Sequence, residues 1–310
     1  MPLHPFIDAM LKQLAAAGGP AISAGTPEDG RALVAASRTA LGDGPEIGSV
    51  ESLTVPTRSG AIKALLLKPE GAPAGLVVYL HGGGWVIGSP RDFEPVARLI
   101  VARSGCAVLL PDYRLAPEHP FPAGLEDSED AVRFAAGHVE ALCGRRVPLA
   151  VAGDSSGANL ATVAARRLKG QVGLAFQGLF YPVADSDFDR PSYRALSDGM
   201  PLSRADMIWF FDHYAPRGRQ ADPDIAPLRA PDLAGLPPAL VLTAEYDVLR
   251  DEGEAYAERL EQAGVPVRLR RAAGLTHGFV RLHNHVDLAE QAVDEMARSI
   301  AQACRSATGA

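Results

Sequence analysis

The segment that most restricts this chain is residues 147–168. An apolar run, Val147-Pro-Leu-Ala-Val-Ala152, leads into Gly153-Asp154-Ser155-Ser156-Gly157, and an alanine-rich run to Leu168 follows. The first run reads as a buried strand and the last as a helix, so a Gly-x-Ser-x-Gly sequence falls on a strand-to-helix turn. Glycines two residues either side of the serine let the backbone turn sharply without a Cβ clash. Such a turn lifts the Ser155 Oγ off the top of a sheet and opens a helix whose positive end faces it. By itself the pattern amounts to a glycine-rich turn after a strand, and its neighbours decide its meaning.

The deciding neighbour is His81-Gly82-Gly83-Gly84-Trp85, placed after a second buried-strand run, Gly75-Leu-Val-Val-Tyr-Leu80. Consecutive glycines free the backbone to aim N–H groups at an acyl oxygen. Gly83 and Gly84, with the N–H of Ser156, are the expected oxyanion donors, and His81 reads as a structural residue bonding within its loop. A serine is a weak nucleophile and needs a base, itself held in one tautomer by an acid. Behind a turn of this kind the chain order is serine, then acid, then histidine. Pro238-Ala-Leu-Val-Leu-Thr-Ala-Glu-Tyr-Asp247 puts Asp247 at a strand end, with Glu245 as the rival on the same side of that strand. His277, in Ala273-Gly-Leu-Thr-His-Gly-Phe279, follows the last strand. His283 and His285 are its rivals, in a segment without glycine or a strand end before it.

With 310 residues and 47% hydrophobic content, the chain is long enough for one large α/β core. A net charge of -7, with no basic cluster beyond pairs such as Arg145-Arg146, argues against nucleic acid as a partner. No apolar run reaches the roughly 18 residues that a membrane span needs. Residues 6–14 form an amphipathic helix, with Phe6, Met10 and Leu14 on one stripe, and lack the basic start of a signal peptide. Cys106, Cys143 and Cys304 are odd in number and far apart, so neither a disulfide framework nor a zinc site is expected. A cytoplasmic setting follows.

Thr26-Pro27-Glu28-Asp29 starts a second helix after a Gly18-Gly-Pro20 break. Strands are predicted at 50–57 and 61–68 as a hairpin, then at 76–80, 107–110, 149–152, 175–181, 239–243 and 267–271. Helices between them make a mainly parallel sheet of about eight strands, covered on both faces. The interval from Tyr181 to Pro237 has no strand signal. Inside it Ser203 caps a helix at 204–214 carrying Met207, Ile208, Trp209, Phe210 and Phe211, which reads as a cap lining an acyl pocket.

The chain resembles the bacterial hormone-sensitive-lipase-like (family IV) esterases of the α/β-hydrolase fold. The resemblance runs from about residue 76 to residue 279. It rests on residues 81–84 and 153–159, Asp112-Tyr-Arg-Leu-Ala-Pro-Glu-His-Pro-Phe-Pro-Ala123, Asp247-Val-Leu-Arg-Asp-Glu252 and His277-Gly-Phe279. Ser156 stands where those esterases commonly have Ala, and Val248 where they often have Pro. The resemblance implies an α/β-hydrolase core at 46–184 and 223–310, under a helical cap from 1–45 and 185–222. It implies a carboxylesterase working through Ser155, Asp247 and His277, with no metal or organic cofactor. Trp85, Tyr181, Leu202, Trp209 and Phe210 are the expected substrate contacts. Their bulk favours small-molecule esters of about two to eight acyl carbons, since each CH₂ gains burial only while room remains. Residues 112–123 are expected to brace the glycine loop, with Arg114 and Glu118 buried and paired, and cis bonds are allowed before Pro117 or Pro122. Similar esterases often dimerise through the last strand, so a homodimer is expected, although Pro266 and three arginines can blunt that edge. A monomer mass by light scattering at micromolar concentration would refute the dimer.

Overall fold

The computed structural model describes residues 1–18, 21–216 and 218–308. Gly19 and Pro20 of the predicted glycine break, and Arg217 of the inserted interval, lie outside them. The strands are β1 (Ser49–Thr57), β2 (Gly60–Lys68), β3 (Leu76–Leu80), β4 (Ala107–Pro111), β5 (Leu149–Asp154), β6 (Phe176–Phe180), β7 (Ala239–Tyr246) and β8 (Val267–Thr276). They form one eight-stranded sheet in the order β1-β2-β4-β3-β5-β6-β7-β8. The pairs β1/β2 and β2/β4 are antiparallel, and every pair from β4 to β8 is parallel. Every predicted strand is present. β5, β7 and β8 run on past their predicted ends, because residues there still pair with the neighbouring strand, as Asp154 does with Phe180 and Tyr246 with Thr276.

The helices are α1 (Pro5–Ala17), α2 (Pro27–Ala36), α3 (Arg38–Leu41), α4 (Pro90–Ser104), α5 (Ala123–Cys143), α6 (Ser156–Arg167), α7 (Pro191–Ala195), α8 (Arg204–Tyr214), α9 (Arg250–Gln262) and α10 (Asp287–Thr308). The expected caps form. Thr26 and Ser203 each close a capping box, with Asp29 and Asp206 respectively. One sheet face packs against α5, α6 and α9 and the other against α4 and α10. That is why all five residues of β3 and of β4 are buried without alternation. No helix among the described residues is long and apolar enough to cross a membrane.

Two features position the site. Leu80 pairs in register with Gly153, so the chain leaves β3 and β5 side by side. The N-terminal segment then meets the inserted one above those strand ends, where the Ser23 N–H donates to Asp206 Oδ1 at 2.9 Å. Helix α1 lies elsewhere. Ile7 joins the core under α10, and the His4 N–H donates to the Gly274 carbonyl at 2.9 Å.

The close approach of α6 to β3 yields a prediction. A Cβ on Gly157 would lie 2.0 Å from the Leu80 carbonyl oxygen, whereas one on Gly137 in α5 meets nothing within 4 Å. Gly157→Ala is expected to cost several kcal/mol or prevent folding, and Gly137→Ala to add up to about 1 kcal/mol. Thermal melts followed by circular dichroism measure both.

Candidate active site

Ser155 sits at the turn between β5 and α6 with φ 54° and ψ -122°, a conformation that costs a non-glycine residue energy. Its surroundings hold it there. Its N–H donates to the Phe180 carbonyl at 2.9 Å, and its own carbonyl accepts from the Asn159 N–H at 3.1 Å. The preceding carboxylate, Asp154, is buried and accepts from the Gly82 N–H at 2.9 Å and the Tyr79 hydroxyl at 3.0 Å. Burial pushes Asp154 up to about 6 despite those donors.

The glycine loop after β3 is shaped by tight contacts. Gly83 has φ 125°, and a Cβ there would lie 2.0 Å from the Ile87 carbonyl. Gly84 has φ 58°, and a Cβ there would lie 2.2 Å from the Phe210 ring. His81 is fully buried between Phe93 and Tyr113, and its Nδ1 donates to the Gly82 carbonyl at 2.7 Å. Burial lowers its pKa to about 4, so it stays neutral. The N–H groups of Gly83, Gly84 and Ser156 have no backbone acceptor among the described residues.

Ser155, His277 and Asp247 come together from three strand ends. His277 Nε2 is 3.0 Å from Ser155 Oγ, and His277 Nδ1 is 2.8 Å from Asp247 Oδ2. Asp247 is fully buried, with its other oxygen accepting the Leu249 N–H at 2.9 Å. The rivals are engaged elsewhere. Glu245 accepts from the N-terminal ammonium and the Gly274 N–H, both at 2.7 Å. His283 Nδ1 bonds the Val280 carbonyl, and His285 Nε2 bonds the Ala40 carbonyl.

A cavity of about 120 Å³ opens beside this chain of hydrogen bonds, walled by Ser155, His277, Leu202, Met207 and Phe210, with Ile22 and Val34 from the N-terminal segment. Of the expected substrate contacts, Leu202 and Phe210 line it and the others do not. Trp85 is 1% exposed behind the glycine loop, stacked on Tyr214 at 4.2 Å. Tyr181 is buried behind His277, ring centroids 4.6 Å apart, with its hydroxyl turned to Asp154 at 3.4 Å. Trp209 packs across Phe210 and His213. Ile22, Val34, Phe93 and Arg281 of the lining carry no motif that would single them out in the sequence.

The brace at 112–123 is also rewired. Arg114 pairs with the fully buried Asp127 at 2.8 Å, and Glu118 pairs with Arg31 of α2 at 2.6 Å, half exposed. Arg114 and Glu118 are not partners. Arg31 also donates to the Val86 and Ala116 carbonyls, each at 2.9 Å, so it ties the roof to the glycine loop. The bonds before Pro117 and Pro122 are both cis.

Residues 77–281 match the family model described as alpha/beta hydrolase fold. The chain is 40% identical over 253 residues to the carboxylic ester hydrolase LipN of Mycobacterium tuberculosis, covering 77% of this chain and 66% of that protein, just under two thirds. It is 36% identical over 285 residues to the ethyl acetate hydrolase of Pseudomonas putida, covering 89% and 87%. The crystal structure of a thermostable esterase from Pseudomonas putida superposes with a TM-score of 0.93 at 33% identity, covering 98% of both chains. The chain belongs to the α/β-hydrolase family, in its hormone-sensitive-lipase-like branch of carboxylic ester hydrolases.

One buried carboxyl near the site sets a pH dependence. Glu252 of α9 is fully buried, and its Oε1 accepts the Ala184 and Asp185 N–H groups at 2.8 and 3.2 Å. Burial pushes it up to about 8, so the folded state holds this proton more tightly than the unfolded chain. Its contribution to stability is therefore present below about pH 4.5 and lost as pH rises through about 8. Glu252→Gln keeps the acceptor and removes the titration. Its Tm should match the parent's near pH 5 and exceed it at pH 8 to 9, as read by thermal melts across pH.

Proposed function

We propose that the protein hydrolyses short-chain acyl esters through a Ser155–His277–Asp247 triad and an acyl-enzyme. The observation that carries this reading is the unbroken pair of hydrogen bonds, 3.0 Å from Ser155 Oγ to His277 Nε2 and 2.8 Å from His277 Nδ1 to Asp247. Ser155 Oγ attacks the ester carbonyl while His277 Nε2 takes its proton. Asp247 keeps the Nδ1–H tautomer and stabilises the imidazolium. The N–H groups of Gly83, Gly84 and Ser156 hold the developing oxyanion, at the positive end of α6. His277 then protonates the leaving alcohol and next activates the water that frees the acid.

Substrate size follows from the roof. Leu202, Met207 and Phe210 wall a cavity of about 120 Å³. An apolar cavity of about 150 Å³ holds a benzene, so only a short acyl or alcohol group fits inside. The Pseudomonas putida relative, named for ethyl acetate, is in keeping with a small acyl group.

One kinetic panel of 4-nitrophenyl esters with lengthening acyl chains tests both points. The parent's kcat/KM is expected to peak at or below about eight acyl carbons, each added CH₂ gaining up to about 0.8 kcal/mol until the cavity ends. Ser155→Ala, His277→Ala and Asp247→Asn should each lower kcat by about 10³ or more, with paired losses far from additive. Near-normal turnover by Ser155→Ala would refute the triad, and a maximum at twelve carbons or more would refute the size limit.

A further inference from the structure

Arg281 follows His277 by four residues, in the short turn Phe279–Leu282, and lines the same cavity as Ser155 and His277. It is the one Lys or Arg among the described residues lining that cavity. Its Nη2 donates to Ser37 Oγ at 2.9 Å and to the Val34 carbonyl at 3.4 Å. Its Nε is closed off from solvent without a hydrogen-bond partner. Its guanidinium carbon lies 5.5 Å from the Phe93 ring centroid. No carboxylate among the described residues forms an ion pair with it. The acids whose charge reaches it are Asp92 and Asp154, and both are taken. Asp92 pairs with Arg38 at 2.6 Å and accepts from Ser89 at 2.7 Å. Asp154 holds the Gly82 N–H and the Tyr79 hydroxyl.

A guanidinium largely withdrawn from water without a counter-ion is costly, and Nη1, which makes no hydrogen bond among the described residues, is open to a carboxylate. The cavity is otherwise apolar or glycine, apart from Asp154, Ser155 and His277. We propose that Arg281 is a specificity residue, and that the preferred substrates are small esters carrying a second, ionised carboxylate. This rests on the esterase reading above and names its substrate class. Two sources share that chemistry: half-esters of short dicarboxylic acids, with the charge on the acyl side, and O-acyl hydroxy acids, with the charge on the alcohol side. In either case water cleaves the neutral ester bond, the products are an acid and an alcohol, and the second carboxylate leaves unchanged. A purely structural role, with Arg281 tying down residues 34–37, predicts no such discrimination.

The full chain is assayed by pH-stat on two matched pairs. Monoethyl succinate against ethyl pentanoate tests the acyl side, and 2-acetoxypropanoate against isopropyl acetate tests the alcohol side. The anionic member of at least one pair is expected to have the higher kcat/KM, and the pair that shows it identifies the side. Arg281→Gln should lower that anionic-to-neutral ratio by about tenfold or more, chiefly through KM, as loss of a charge-assisted hydrogen bond would. Arg281→Lys, which keeps the charge but not the fork, should retain part of the ratio. A parent with no preference for the anion in either pair overturns the proposal, whatever the variants do. So does an Arg281→Gln protein that loses the same factor on anionic and neutral esters. A parent inactive on all four esters would instead defeat the esterase reading itself.

Discussion

The buried Asp154 carboxylate is the joint on which the upper face of this molecule depends. Its oxygens take the Gly82 N–H, the Tyr79 hydroxyl and, at 3.4 Å, the Tyr181 hydroxyl. The loop after β3 and the turn after β5 are thereby fastened at one point. A group held up to about 6 by burial destabilises the fold when ionised, so Asp154 fixes this geometry at a cost in stability. The strained Ser155 backbone is supported in the same way, by the Phe180 carbonyl on one side and the first turn of α6 on the other. The glycine loop and Ser155 are thus held in fixed relation to one another, the condition under which backbone dipoles act most strongly on charge that develops beside them.

Much of this was legible in the sequence because it is written locally. Continuous apolar runs marked β3, β4, β5 and β7, and Thr26 and Ser203 marked helix starts through contacts only three residues long. Glycines at 83 and 84 were readable because the backbone turns there leave no space for a side chain. The expected acid and base rested on chain order and strand ends, and His277 and Asp247 do follow such ends and hydrogen-bond to one another.

What was not legible is tertiary choice. A large aromatic residue fills a core or lines a pocket equally well. Which it does depends on what lies opposite: Tyr214 covers Trp85, and His277 covers Tyr181. Charge partners were misread for the same reason. Arg114 and Glu118 are four residues apart, yet each finds a partner from a different helix, Asp127 of α5 and Arg31 of α2. Ile22 and Val34 reach the cavity only because residues 22–36 fold back over the strand ends, which no local pattern records. Asp154 appeared in the sequence as the unspecified residue of a motif, and only its contacts reveal its work.

Phe210 links two properties that an engineer would wish to vary separately. Its ring walls the cavity beside Ser155, and it also occupies the position where any side chain at residue 84 would project. The roof and the glycine loop are therefore moulded against one another. Trimming this ring would widen the cavity and, in the same act, remove the wall against which the loop packs. Cavity width and loop geometry in this scaffold are therefore mechanically coupled through a single phenyl group.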